Sequence, residues 1–460
     1  MKKSKTCVGA VVIGAAAGLL AMSSWAPAQE AASKDEIWSA TAVVSLPTGT
    51  TIASFDISYV DSNLGKYVLG DRTNKAVDLV DTTSLVGTLL PANPPFAGAT
   101  GNNNTSGPDG VIIVPKLNNG DGTDEVWAGD GPTATCPLTA TSAVPQVPGD
   151  SRCSTVKVID LTGAHATLHV IPTGGMNRAD ENCLDTADNL LMTANNADNP
   201  PFGSIISTTD YTVKSQISFA NSTNGAEQCS WSPRTGMFYI TIPGIETPDN
   251  GHGVVEVINP ISGKIVNTFD IPLEVCGTPQ GTAVGPSPQI MVGCNQGSGP
   301  SLNGKNSGII INEHSGSVIG VIPNESGPDE VYYNAGTAEY FLAQSAPPGN
   351  FQTLGVVDAK GKKADLSIVT ANKTVAGRSA HSVAADSGIK SGTQQVFVPI
   401  PAGVAMACGP NVPPGAADNP NGCIAVFTTT NPDKGKTIVG RNDDDDHGRG
   451  HDHDHDHDHD

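Results

Sequence analysis

The sequence predicts an all-β fold: a seven-bladed β-propeller closed by an N-terminal outer strand and followed by a disordered His/Asp-rich tail. Three observations predict it. Short apolar runs rich in Val and Ile recur along residues 36–440, bounded by Gly, Pro, Asn and Asp, and no helical period runs through them. A similar entry segment precedes each group of runs, seven times in all, at steps of about 50 residues. Composition agrees, with 52 Gly and 34 Pro in 460 residues and only 15% charged residues. That is too little Leu, Lys and Glu patterning for helices, yet too much Val and Ile for a disordered chain.

Residues 1–28 read as an export signal. Lys2, Lys3 and Lys5 precede an apolar stretch from Cys7 to Met22, and Ala26 and Ala28 suit cleavage before Gln29. The stretch is short for a membrane span, which needs about 20 residues, and no later one is longer. The mature protein is therefore expected to be exported, periplasmic or extracellular, without membrane insertion.

Ala40–Pro47 has no entry segment before it and ends like the outer strands of later repeats. It is expected to complete the last blade, with Thr437–Val439 competing for that place; joining the chain ends this way removes an open sheet edge. Each blade then follows one order. Its second strands read Tyr67–Asp71, Val126–Asp130, Leu191–Asn195, Phe238–Ile242, Ile290–Cys294, Tyr340–Gln344 and Val396–Ile400. Third strands follow at 76–81, 155–160, 203–208, 254–259, 308–313, 354–359 and 423–428, and outer strands end on Pro91, Pro172, Pro272 and Pro323.

The formal charge is −21, from 25 Lys and Arg against 46 Asp and Glu. The leader carries +3 and the last twenty residues −7, which leaves −17 in the body. Nucleic acid and anionic membranes are thereby disfavoured as partners. Beyond Cys7 there are eight cysteines: Cys136, Cys153, Cys183, Cys229, Cys276, Cys294, Cys408 and Cys423. An even number in an exported chain reads as disulfides; sequential pairing is the simplest of the many possible connectivities. A zinc or iron–sulfur site would want a C-x-x-C pair, which is absent.

Asp185–Asn196, Trp231–Tyr239 and Ala380–Asp386 resemble the repeat of YVTN-type, NHL and SMP-30/gluconolactonase-like propellers, over roughly residues 40–440. In such propellers the innermost strand lines a central channel with its entry residue near one mouth. The resemblance thus implies a ring of Asp56, Asp109, Asp180, Glu227, Gln280, Asp329 and His381, with five carboxylates converging. Carboxylate and amide oxygens suit Ca²⁺. His381, which breaks the repeat, could ligate a softer metal or serve as a general base, as could Glu227. The competing expectation is that these Asp residues merely form turns.

Lesser motifs remain. Asn119–Asp124 faintly resembles a calcium loop but reads better as a turn, and His165 and His169, if on one strand, would share a face as a surface pair. Residues 441–460 carry His447, His451, His453, His455, His457 and His459, which can take Zn²⁺, Ni²⁺ or Cu²⁺. The first expectation is a monomeric binding or scaffold protein with a cation or small ligand at the acidic mouth of its central channel, meeting a small molecule, metal ion or protein at its faces, while the tail captures transition metals. A metal-dependent hydrolase of lactonase type is the alternative. A surface interaction platform built on loops 92–106, 131–152 and 402–422 is the third.

Overall fold

The computed structural model describes residues 38–116, 122–132, 136–137, 149–246, 252–295, 307–323, 327–344, 354–359, 368–369, 380–403 and 421–429. Its 28 strands form seven four-stranded antiparallel sheets, and the described residues include a single 3₁₀ turn, Asn103–Thr105, and no α-helix. Six blades are contiguous in sequence: β2(Ser58–Asp61) to β5(Val86–Pro91), β6(Val111–Val114) to β9(Thr167–Pro172), β10(Asn182–Asp185) to β13(Val213–Ser218), β14(Cys229–Ser232) to β17(Lys264–Asp270), β18(Thr278–Val284) to β21(Val318–Pro323), and β22(Pro328–Asn334) to β25(Ile368–Val369). The seventh consists of β26(Ala384–Asp386), β27(Gln395–Ile400) and β28(Cys423–Thr429), with β1(Trp38–Val43) as its outer strand.

Closure is therefore made by the N-terminal strand, as expected, though two residues earlier than the sequence suggested. Trp38 pairs with Thr429 and Val43 with Ala425. The reading missed Trp38, whose fully buried ring meets Phe341 of the sixth blade edge-on at 5.1 Å. Ser45 then laces the seam to the first blade, donating its N–H to Leu85 O at 2.8 Å and accepting from Gly87 N at 2.9 Å. The competing Thr437–Val439 segment lies outside the described residues.

Burial explains the composition of each strand. The second strands β7(Glu125–Asp130) and β11(Leu190–Asn195) are buried at every position, because neighbouring blades cover both faces. The outer strand β5 instead alternates toward solvent, which is why outer strands hold more polar residues. Hairpin turns are set by a separate series of Asp and Asn residues. Asp61 Oδ1 accepts from the N–H of Asn63 and Leu64, both at 2.9 Å, and Asp81, Asp185 and Asn312 repeat the arrangement.

A shared backbone device places the entry residues. Asp56 N donates to Gly70 O (2.9 Å), Asp109 N to Gly129 O (2.9 Å), Asp180 N to Ala194 O (2.7 Å) and Glu227 N to Thr241 O (2.9 Å). Small residues at the ends of the second strands let the next blade approach this closely. At Gly110 a Cβ would overlap the carbonyl oxygen of Asp180 in the following blade, so only glycine fits.

Disulfides join Cys136 to Cys153, Cys183 to Cys229 and Cys276 to Cys294, in the sequential order expected. Cys423 is also disulfide-bonded, and Cys408 lies outside the described residues. The Cys183–Cys229 bond links the inner strands of the third and fourth blades. These bonds fit an exported protein. No helix among the described residues is long and apolar enough to cross a membrane. Residues 1–28, read from the sequence as an export signal, and the tail at 441–460 lie outside the described residues.

If Trp38 is the anchor of closure, Trp38→Ala should cost about 3–5 kcal/mol, the usual range for emptying a buried aromatic site. Urea unfolding of the variant against the parent measures this. A loss below about 1 kcal/mol would mean that backbone pairing alone holds the seam.

Candidate functional site: a charged ring above a channel cavity

The entry residues converge where the inner strands begin, and their side chains do not form turns. That work belongs to the hairpin series described above, so the turn-forming expectation for the ring is corrected. Oxygens of Asp56, Asp109 and Asp180 lie within 4.8 Å of one another, as do those of Asp180, Glu181 and Glu227. Asp329 joins through His381. Gln280 contributes a backbone carbonyl to Thr241 Oγ1, while its own side-chain oxygen is buried without a hydrogen-bond partner.

Two arginines that the sequence reading did not anticipate sit inside this ring. Arg72 follows β3(Lys66–Asp71) and pairs with Asp56 and, through Nε at 2.6 Å, with Asp109; its Nη1 donates to Asn103 Oδ1 at 2.7 Å. Arg178, two residues ahead of Asp180, reaches Asp180 Oδ2 at 2.6 Å and Asp56 Oδ2 at 3.2 Å. Both guanidinium groups are almost fully buried. Planar, permanently charged and rich in donors, they suit the bridging of several carboxylates at once.

His381 is a third cation. Its Nε2 lies 2.7 Å from Asp56 Oδ1 and its Nδ1 2.8 Å from Asp329 Oδ2, with 38% of the side chain still reachable by solvent. Burial works against its charge, but Asp329 and Asp56 outweigh that and raise its pKa well above the ordinary histidine value. The ring is thus an imidazolium donating from both nitrogens. In that state neither nitrogen is free to accept a proton or bind a metal.

The acids outnumber these three cations. Glu181 and Glu330, which also escaped the sequence reading, hydrogen bond to each other from the third and sixth blades, on opposite sides of the channel. Two carboxyls can do this only when at least one of them is protonated. Burial, together with neighbouring acids, raises Glu227 and Glu330 to about 8 and lifts Asp180 and Glu181 well above their ordinary values. Asp56 moves the other way. Burial opposes its ionisation, yet Arg72, Arg178 and His381 together hold it far below the usual carboxylate range. Asp109 Oδ2 and Asp180 Oδ1 remain buried and without a hydrogen-bond partner.

Beyond the ring the channel opens into a cavity of about 250 Å³ lined by the inner strands of six blades. Glu181 stands at the ring end, one residue past Asp180. Trp231, Val284 and Tyr333 come four residues after the ring positions of their own blades, further from it. Ser58, Tyr59, Asn182, Leu184, Gln228 and Tyr332 form much of the wall between. Gln228 fixes this wall: its Oε1 accepts from Thr282 N (2.7 Å) and Val331 N (3.1 Å), and its Nε2 donates to Val331 O (3.1 Å). These are the points where β18 and β22 bulge out of register.

The other sequence candidates lie elsewhere. His165 occupies the turn before β9, with φ near 53°, and its Nδ1 is 3.1 Å from Asp160 O. His169 stacks on Tyr211 at 3.6 Å. They share no strand, so the expected pair on one face does not form. Residues 119–121 of the Asn119–Asp124 segment lie outside the described residues; Asp124 itself accepts from Lys116 N at 2.8 Å.

Fold and channel together define a seven-bladed β-propeller with a charged central ring. The model resembles the WD40 repeats of RRP9, with a TM-score of 0.53, 8% identity, and 86% of this chain and 98% of that one covered. It also resembles the WD40 propeller domain of Doa1, with a TM-score of 0.51, 10% identity and 85% and 96% coverage. At such identities the likeness concerns the fold alone. No protein-family model matches the sequence, and no curated protein does either.

The raised carboxyls imply a sign for the pH dependence of stability. Unfolded, Glu227 and Glu330 titrate near 4.5; folded, near 8. Between these values the native state binds more protons than the unfolded chain, so stability is full below about pH 4.5 and falls as pH rises toward 8. Urea midpoints should decline from pH 5 to pH 8, and Glu330→Gln should flatten the decline. Equal slopes in parent and variant would show that the Glu181–Glu330 proton is not shared.

Proposed function

We propose that the protein is an exported ligand-binding propeller whose binding site is the channel cavity rather than the ring above it. The observation that supports this reading most is the cavity itself, which ends on Glu181 and is walled by aromatic and small polar side chains from six blades. The ring is largely compensated by Arg72, Arg178 and His381, and acts as a plug at one mouth. The resemblance to YVTN, NHL and SMP-30-like propellers is compatible with such a role, since these blades serve binders, scaffolds and enzymes alike.

A second reading is favoured by one arrangement. Asp180, Glu181 and Glu227 place three carboxylate oxygens within 4.8 Å, and Asp180 Oδ1 is buried and unpartnered. An all-oxygen donor set with spare lone pairs suits a hard divalent cation such as Ca²⁺. A lactonase-type hydrolase has less support, because His381 is held between two carboxylates. Glu227, raised to about 8, is the acid in the group best placed to exchange a proton near neutrality. The histidines from His447 to His459 would collect Zn²⁺, Ni²⁺ or Cu²⁺ independently of the channel.

Two experiments test these readings. In a thermal-shift screen of small organic molecules, at least one compound should raise Tm in the parent and not in Val284→Trp, which fills the cavity; hits that survive the filling would place the site elsewhere. For the cation, protein lacking residues 443–460 should gain Tm with millimolar Ca²⁺, and the gain should vanish in Glu227→Gln. A tailless protein indifferent to both Ca²⁺ and chelator removes the cation from the channel.

A further inference from the structure

The chemistry of the cavity narrows the class of molecule it takes, an inference that rests on the channel being the binding site. Four aromatic residues line it: Tyr59, Trp231, Tyr332 and Tyr333. Tyr59 and Tyr332 meet edge-on at 6.3 Å, and Tyr332 Oη is fixed by donation to Val60 O at 2.9 Å, so this wall is rigid. At the ring end stands Glu181, 4% exposed, beside Glu330; a cation placed here would lower the pKa of both carboxyls and so favour their ionisation. The cavity end therefore presents carboxyl oxygens, and its walls present aromatic rings.

We propose that the channel cavity binds a small organic ammonium ion, with its charged nitrogen toward Glu181 and its hydrocarbon part among Tyr59, Trp231, Tyr332 and Tyr333. Aromatic rings attract a cation through the negative potential of their faces, and the attraction grows when water is excluded. An anionic ligand would meet the unbalanced carboxyls of the ring: Asp180, Glu181, Glu227, Asp329 and Glu330 all lie at or just beyond this end. A neutral ligand of the same shape would fill the walls but leave the acceptors unanswered. The volume of about 250 Å³ limits the guest to a small amine.

The test is calorimetric titration of the full mature chain in 150 mM NaCl, a salt level that suppresses loose association with the acidic tail. The probes are tetramethylammonium and 2-phenylethylammonium, with 2-phenylethanol and phenylacetate as neutral and anionic counterparts. The ammonium probes should bind saturably, at least tenfold more tightly than 2-phenylethanol, with phenylacetate inert. Glu181→Gln, which keeps a hydrogen bond to Glu330, should weaken 2-phenylethylammonium tenfold or more, and Tyr333→Leu should weaken it as well. Should Glu181→Gln unfold, Trp231→Leu reads the aromatic wall and should also weaken the amine. If 2-phenylethanol binds as tightly as the amine, the channel site stands and the ammonium assignment falls. If no probe binds saturably, or if Val284→Trp leaves binding unchanged, the channel reading falls with it.

Discussion

Arg178 is the side chain on which the centre of the propeller depends. One guanidinium group reaches carboxylates from the first and third blades, and its charge acts on Asp109 of the second as well. Without such a counterion the close approach of these carboxylates would be untenable in a buried setting, where desolvation penalises every charge. Arg72 repeats the bridge between the first and second blades, and His381 carries it from the first to the sixth. The inner strands can start so near the axis because these three cations absorb the repulsion. The cavity beneath exists because the strands then diverge.

A second consequence concerns where the compensation runs out. The cations pair with Asp56, Asp109, Asp180 and Asp329. Glu181, Glu227 and Glu330 form no ion pair among the described residues. Protons make up the difference in part, through the Glu181–Glu330 bond. The electrostatic asymmetry of the channel thus comes from the unequal distribution of basic residues around a nearly regular repeat.

That distribution also marks the limit of what the sequence reveals. Repetition was readable: the entry residues from Asp56 to His381 recur at even steps because each occupies an equivalent backbone position, and backbone equivalence leaves a periodic trace. The strand order, the N-terminal closure and the sequential disulfides followed from the same regularity. Arg72 and Arg178 leave no such trace, since each occurs in one blade only and lies in a loop. A signal was nonetheless present. Arg178 stands two residues before Asp180 in a chain with few basic residues, and Glu181 and Glu330 follow ring acids directly in the matching Asp-Glu pairs of Ala179–Glu181 and Pro328–Glu330. The pairing of His165 with His169 misled because spacing presumes a common strand, and His165 lies in the hairpin turn ahead of the strand that holds His169.

The seam between β1 and β28 has a mechanical meaning. Trp38 and Thr429, the outermost partners of that antiparallel pair, sit side by side at its open end. Tension applied to the two chain ends would therefore load these hydrogen bonds one after another, as in unzipping, rather than all together in shear. The six other blades, each continuous in sequence, would bear little of that force until the seventh had parted. The closed ring is in this way vulnerable to a pull along its own backbone, and a tether at either terminus would act directly on the latch.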